Sequence, residues 1–490
     1  MKLYLHGHDY KYAAEQMLLT LYPEERPEYP GGDPDGDCAV ISLSEGEKYV
    51  TASCRLTLGG ITRRGRSAFK KELAADEVSR DRLCQRAVKN AFYRAALASG
   101  LSRPVWGALT GVRPGKVFMG LMEQGDENTA LKRLITEYDV SPRRAELCRS
   151  TSLVTKSIAE SLEDRDICLY VGIPFCPTRC NYCSFVSQTV EKSMKLIPPF
   201  MYALMQELDA VADKVNKAGL RVISVYMGGG TPTTLSTPEL ERLCSRLEEK
   251  FDLSAMREYT VEAGRPDTIT EEKLRVLKRH GVDRVSVNPQ TMTDSVLEAI
   301  GRRHTAKDIV DALGAVRSVG GMAVNMDLIA GLTTDSAEGF EKTLNTVIDL
   351  EPENITVHTL SLKKGSRITL EGSAIPTAEE VGRMLDIAEE KLRAAGYEPY
   401  YLYRQKFMSG GFENVGWTKK GYVNLYNVCI MEELCSIIAM GGGGSTKLAA
   451  KNGGRSTRIF APKYPQEYIG SIEKTCEAKQ GIVDFYAGSE

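Results

Sequence analysis

The sequence predicts an α/β chain: a partial, TIM-like barrel of six β/α units, with an α+β domain before it and an α+β extension after it. Three observations carry this expectation. From about residue 166, short apolar strands alternate six times with amphipathic helices. Before that point the order is strand, helix, hairpin and long helical stretches. After about residue 400 the alternation stops. Eight units would close a barrel, so six imply one that opens sideways. The expected division is 1–160, 166–400 and 401–490, the last part covering the opening and the role of the first unassigned.

In the first part, Met1–Gly7 reads as a strand and Tyr10–Leu21 as a helix. Cys38–Leu43 and Lys48–Leu58 form a hairpin about Ser44-Glu45-Gly46-Glu47. Lys70–Ala98 reads as one or two helices, and Ser141-Pro142 opens another running toward Ser161. The barrel strands are expected at Ile167–Ile173, Val222–Met227, Tyr259–Ala263, Arg284–Val287, Ala323–Ile329 and Ile355–Leu360. Helices are expected at Tyr202–Lys214, Pro238–Glu249, Glu271–Arg279, Lys307–Val316, Gly339–Leu350 and Ala378–Ala394.

Composition narrows the function classes. The 490 residues are 42% hydrophobic and 26% charged, ordinary values for a globular protein. A net charge of −2 gives no general attraction to nucleic acid or to a membrane surface. No apolar run approaches the roughly 18 residues of a membrane span. The N-terminus reads as a first strand rather than a targeting peptide, and 12 irregularly spaced cysteines suit a reducing compartment. A cytoplasmic enzyme is expected.

Cys176, Cys180 and Cys183, spaced C-x-x-x-C-x-x-C, are the most informative residues. A cubane iron–sulfur cluster takes four ligands, so three thiolates leave one iron open for a substrate or cofactor. A zinc site usually closes with four ligands, and no histidine lies nearby to complete one. Zinc or reactive thiols remain the weaker alternatives. Polar residues also collect where strands hand over to loops, as in barrel active sites. Gly228-Gly229-Gly230-Thr231-Pro232-Thr233 follows the second strand and Glu262 closes the third. Asn288-Pro289-Gln290 follows the fourth, Asp327 is near the end of the fifth and His358 is in the sixth. Glycines let backbone groups approach a ligand. Glu262 and Asp327 offer acceptors to a ribose or a cationic amine, and Arg302 is suited to clamping a carboxylate. The set matches an amino-acid nucleoside.

These residues resemble the radical S-adenosylmethionine superfamily and, within it, the oxygen-independent coproporphyrinogen III oxidase (dehydrogenase) family with its haem-chaperone relatives. The resemblance covers about residues 166–450. It rests on Leu169-Tyr170-Val171-Gly172-Ile173-Pro174-Phe175-Cys176, the triple-glycine segment, Val261-Glu262-Ala263, Arg284–Gln290, Ile300–His304 and Asn325–Leu332, in that order. Leu109–Pro114 resembles the longer branch of the family. The resemblance implies a 4Fe-4S cluster on Cys176, Cys180 and Cys183. It implies S-adenosylmethionine held by Tyr170, Gly229, Gly230, Thr231, Glu262, Gln290, Arg302 and Asp327. The expected chemistry is reductive cleavage of the sulfonium to a 5′-deoxyadenosyl radical, which abstracts hydrogen from a propionate that then loses carbon dioxide to become vinyl. The expected partners are a tetrapyrrole substrate and a low-potential electron donor such as flavodoxin or ferredoxin. Two departures count against that decarboxylation: Phe185, where the well-studied oxidases carry a further cysteine, brings the loop closer to the chaperone branch, and Gly172 stands where they carry histidine. Methylation or ring opening of haem is a third reading.

Other segments admit duller readings. Arg179, Arg265, Arg303 and Lys363-Lys364 are candidate propionate partners, although most such cations are simply solvated. Tyr400–Phe407 is either a stacking surface for a macrocycle or a sheet strand. Gly441–Ser445 reads as a close-approach loop near the active site. Thr62–Arg66 with Lys70-Lys71 is a basic run, read first as a solvated loop and otherwise as a contact for RNA or an acidic electron donor. Gly115-Lys116 does not make a phosphate loop, because Thr110 replaces the first glycine and Val117 the required hydroxyl residue.

Overall fold

The computed structural model describes residues 1–183, 188–189, 193–361, 375–405, 409–450 and 456–487. They form two compact units, Met1–Arg149 with Arg404–Phe412, and Ser150–Tyr403 with Glu413–Glu490.

The first unit contains a four-stranded sheet in chain order: β1 (Lys2–His6), β2 (Cys38–Glu45), β3 (Tyr49–Leu58) and β4 (Ile61–Lys70). β1 runs parallel to β2, and the other pairs are antiparallel. Helices Lys11–Leu21 and Glu77–Ala98 share its core, where Met17, Leu18, Ile41, Leu56, Val88 and Phe92 are buried. The basic run Thr62–Arg66 is a strand rather than a loop. Gly65, Ser67 and Phe69 alternate inward, and a Cβ on Gly65 would collide with the Ala91 carbonyl of the helix above it. The stretch after Lys70 begins with a short turn, and the long helix starts only at Glu77, where the Asp76 carboxylate accepts from the Ser79 N–H at 2.6 Å. Pro114 opens a helix, Pro114–Met122, in the segment rejected as a phosphate loop.

The second unit is built on one eleven-stranded sheet. Its centre is β5 (Asp166–Ile173), β8 (Arg221–Gly229), β9 (Glu258–Glu262), β10 (Arg284–Ser286), β11 (Ala323–Ala330) and β12 (Asn354–Thr359), parallel and in chain order. These are the six expected strands. β6 (Phe175–Cys176) and β7 (Gln188–Thr189) make a separate small pair. Helices alternate with the strands, and several begin on clear caps. Ser236 and Glu239 close a capping box before Thr237–Lys250, and Thr305 and Asp308 do the same before Ala306–Val319. The helix expected at Tyr202 starts earlier, at Ile197, because Pro198 and Pro199 fit its first turn.

Residues 401–490, expected as a domain of their own, instead extend this sheet. β13 (Glu398–Arg404) and β14 (Glu413–Thr418) lie beyond β12, with β14 antiparallel to it. β15 (Ser436–Gly441) adds in parallel beside β5, followed by the antiparallel β16 (Ser445–Ala449) and β17 (Ser456–Phe460). β13 and β17 are the two edges of the sheet. Glu258 holds the intervening helix, Leu425–Glu432, by accepting from the N–H groups of Leu425 and Tyr426 at 2.8 and 3.2 Å. The Tyr400–Phe407 segment is therefore a strand from Tyr400 to Arg404. Tyr400 and Tyr401 are buried, while Lys406 and Phe407 lie outside the described residues. A buried ion pair ties down the C-terminal helices. Lys479 Nζ meets Glu207 at 2.9 Å, and Glu207 also accepts from Tyr468 Oη at 2.5 Å and the Gly441 N–H at 2.7 Å.

Candidate functional site

The cysteine loop leaves β5 through Pro174 and enters the two-residue strand β6. Its path is fixed by backbone bonds to the triple-glycine turn: Gly230 N–H donates to Ile173 O at 2.8 Å and Thr231 N–H to Phe175 O at 2.7 Å. Gly230 has no room for a side chain, since a Cβ would lie 2.5 Å from Phe175 O and 2.7 Å from Ile173 O. Gly229 sits at φ +98°, and a Cβ there would meet the Tyr170 hydroxyl at 3.0 Å. Gly230→Ala is expected to push the loop off this seat, at a cost of about 1–3 kcal/mol, and to lower iron content after cluster reconstitution. Gly120→Ala, where nothing lies within 4 Å, is the control. Equal iron in both would show that the turn does not set the loop.

The three cysteines are half-buried, and the far end of the loop is also pinned. Asn181 donates from its backbone N–H to Ile300 O at 2.9 Å and from its side chain to Ala299 O at 3.0 Å. Thr231 Oγ1 donates to Cys176 Sγ at 3.6 Å, and Arg265 reaches Cys180 Sγ at 3.5 Å and Thr178 Oγ1 at 2.7 Å. Burial raises the Cys180 thiol, but the Arg302 and Arg265 guanidiniums outweigh it and hold the thiol below its ordinary range. Arg265, a candidate propionate partner from the sequence, is thus committed to the cysteine loop. Arg179 and Arg303 are exposed, and Lys363, Lys364 and Phe185 lie outside the described residues.

The strand-end carboxylates each have close partners, and their charges act on each other. Glu262 accepts from Tyr226 Oη at 2.5 Å, and Asp327 lies 3.6 Å from His358 Nε2 and accepts from Asn325 Nδ2 at 2.8 Å. Gln290, at φ +68°, bridges to β11 by donating to Asp327 O at 2.9 Å and accepting from Ile329 N–H at 3.0 Å. Arg302 donates to Asn288 O at 2.5 Å and to Tyr182 Oη at 3.2 Å, while its buried Nε has no hydrogen-bond partner among the described residues. Tyr170, Tyr226 and Tyr426 stack with centroids 4.3 to 6.3 Å apart. Reasoning from the sequence missed Tyr226, although it lies two residues before Gly228 and strand alternation puts both on one face. Tyr426 carried no local signal. The Gly441–Gly444 turn between β15 and β16 packs against Gly172, where a Cβ would meet Gly442 O at 3.1 Å.

Burial, together with the Asp327 charge, pushes the Glu262 carboxyl up to about 7, against the opposing pull of Tyr226 and His358. Burial also works against the Asp327 carboxylate, but His358 and Asn325 hold it below its usual range. The strand ends thus pair a readily protonated acid with a firmly ionised one. Below the ordinary Glu value of 4.5, Glu262 is protonated whether folded or unfolded and costs nothing. As the pH rises from there toward 7, only the unfolded chain ionises, so stability falls, by up to about 3 kcal/mol above 7. Glu262→Gln is expected to flatten this loss between pH 5 and pH 8 in chemical denaturation of the cluster-free chain. An unchanged slope in the variant would rule out Glu262 as its source.

The donor set fits an open-site cluster with an amino-acid nucleoside. Three thiols sit on a loop braced by two cations, a glycine turn brings bare backbone against that loop, and a buried guanidinium nitrogen lacks a partner among the described residues. Comparisons agree. The radical SAM superfamily pattern matches residues 170–347, and its members use a 4Fe-4S cluster and S-adenosylmethionine. The chain is 33% identical over 479 residues to the oxygen-independent coproporphyrinogen-III oxidase-like protein HemZ of Bacillus subtilis, covering 95% of this chain and 94% of that one. It is 31% identical over 250 residues to the heme chaperone HemW of the same organism, covering 50% and 64%. The solved structure of coproporphyrinogen III oxidase HemN from Escherichia coli, a radical SAM enzyme, shares the fold, with a TM-score of 0.52 and 21% identity over 66% of this chain and 73% of that one. Near full-length similarity to HemZ, on a fold shared with HemN, shows that the chain belongs to the oxygen-independent coproporphyrinogen-III oxidase-like family of radical SAM enzymes.

Proposed function

We propose that this enzyme removes carbon dioxide from propionate side chains of coproporphyrinogen III, or a close tetrapyrrole, leaving vinyl groups without using oxygen. The observation that supports it is the set of strand-end acids, Glu262 with Tyr226 and Asp327 with His358, in a chain with a three-cysteine loop that is similar over nearly its whole length to an oxidase-like protein. In this reading Cys176, Cys180 and Cys183 hold the cluster. Tyr170, Gly229, Gly230, Thr231, Glu262, Gln290, Arg302 and Asp327 hold S-adenosylmethionine. The bound pair supplies one-electron cleavage of the sulfonium and with it a hydrogen-abstracting agent. Arg265 and Arg302 offset thiolate charge, and Arg302 Nε has a donor left for a carboxylate. Glu262 and Asp327 accept from hydroxyl or ammonium groups, and the tyrosine stack keeps water from these acids. Low-potential electrons come from a flavodoxin or ferredoxin in the cytoplasm.

A second reading, haem delivery without decarboxylation, draws on Gly172. A Cβ at Gly172 would lie 3.1 Å from Gly442 O and 3.3 Å from the Tyr170 ring, so a histidine there, as in the oxidases, would crowd the glycine turn. One experiment separates the two. With cluster reconstituted anaerobically, dithionite, S-adenosylmethionine and coproporphyrinogen III are added, and the tetrapyrrole is weighed by mass spectrometry. The mass loss of two decarboxylations, in step with 5′-deoxyadenosine, is expected. Unchanged coproporphyrinogen together with stoichiometric haem binding would overturn the first reading in favour of the second.

A further inference from the structure

Three cysteines outside the loop also converge. Cys168 on β5, Cys429 on the helix Leu425–Glu432 and Cys435 just before β15 bring their Sγ atoms within 4.8 Å of one another, and those of Cys168 and Cys435 are 3.7 Å apart. All three are buried, among Ile158, Leu162, Ile223 and Ile437. A single buried cysteine is an ordinary small apolar residue. Packing of that kind does not require three sulfurs from three separate elements to meet at one point.

We propose that Cys168, Cys429 and Cys435 form a three-sulfur site for a trivalent thiophile of the arsenite or antimonite class. Binding is a condensation: As(OH)3 + 3 RSH gives As(SR)3 + 3 H2O. Three S–H bonds and three As–O bonds break, three As–S bonds and the three new O–H bonds of the released water form, and no electron changes hands. Charge selects this class. Soft thiolates also favour Zn(II) and Cu(I), but three thiolates would leave one net negative charge on zinc and two on copper. An anionic complex is costly in a pocket walled by Ile158, Leu162, Ile223 and Ile437. The arsenic complex is neutral, and so is arsenous acid as it enters. Occupation would join β5, the helix and β15, the first two of which carry Tyr170 and Tyr426 of the tyrosine stack.

The loop cysteines are thiols too, so arsenite is offered to two forms of the full chain: cluster-loaded protein, and the Cys176→Ala, Cys180→Ala, Cys183→Ala variant. One arsenic per chain by native mass spectrometry, with three sulfur neighbours by arsenic X-ray absorption, is expected in both. Cys429→Ser is expected to lose it, and Cys244→Ser, at another buried cysteine, to keep it. No bound arsenic in the cluster-loaded protein, arsenic with two sulfur neighbours, or preferential uptake of Zn(II) from a mixture with arsenite would each overturn the proposal. If the triple variant does not fold, the cluster-loaded protein decides alone.

Discussion

Cys180→Ala is expected to abolish both the iron–sulfur absorbance of the reconstituted chain and its cleavage of S-adenosylmethionine. A 4Fe-4S cubane on two thiolates would have two irons open, and the surroundings of Cys180 suit a thiolate ligand. Its sulfur receives Arg265 at 3.5 Å, and Arg302 and Arg265 hold it toward the thiolate, the form that binds metal. The measurement is iron and sulfide per chain, with 5′-deoxyadenosine release under dithionite. Activity at background with circular dichroism unchanged is the expected pair of results. Retention of a full cluster, or of cleavage, would remove Cys180 from the ligand set. Arg265→Met is a gentler companion. With Thr178 and Cys180 deprived of a donor, cluster content is expected to fall only partly.

Lys479→Met carries the largest expected effect on stability, about 3–5 kcal/mol. Lys479 and Glu207 are both essentially buried, at 1% and 0% side-chain exposure, so removing the ammonium leaves a carboxylate charged in an apolar interior. Lys479 Nζ also donates to Ala439 O at 2.6 Å, and Glu207 holds the Gly441 N–H and the Tyr468 hydroxyl, so the loss falls on the glycine turn beside Gly172. The double variant Glu207→Gln, Lys479→Met is expected to recover most of the stability, because the stranded charge is then gone. Chemical denaturation of the three proteins provides the check. A single variant as stable as the parent, or a double variant no better than the single, would show that the pair does not anchor the C-terminal helices.

The strand order, the cysteine loop and the polar strand ends were legible because their signals are local. Short apolar runs between amphipathic helices mark β5 and β8 to β12, cap residues such as Thr305 mark helix starts, and a loop motif such as Cys176–Cys183 carries its ligands within a few residues. What escaped was non-local. β4 read as a charged loop because Arg63, Arg64 and Arg66 dominate its composition, while the inward Gly65 and Phe69 gain meaning only from the helix packed on them. Arg265 read as a substrate contact because nothing nearby in the chain says that it turns onto Cys180. Tyr426 and the pairing of β15 with β5 depend on segments more than two hundred residues apart.

The amino acids themselves determined the chemistry available here: three thiols with no fourth beside them, glycines where backbone must approach, and acids at the ends of successive strands. Only the tertiary structure decided how those groups influence one another. It set a raised Glu262 against a lowered Asp327, seated the loop on the Gly230 backbone, ran residues 401–490 through both edges of one sheet and gathered a second trio of sulfurs. Desolvation and charge–charge coupling depend on distance in space, which residue order alone does not specify.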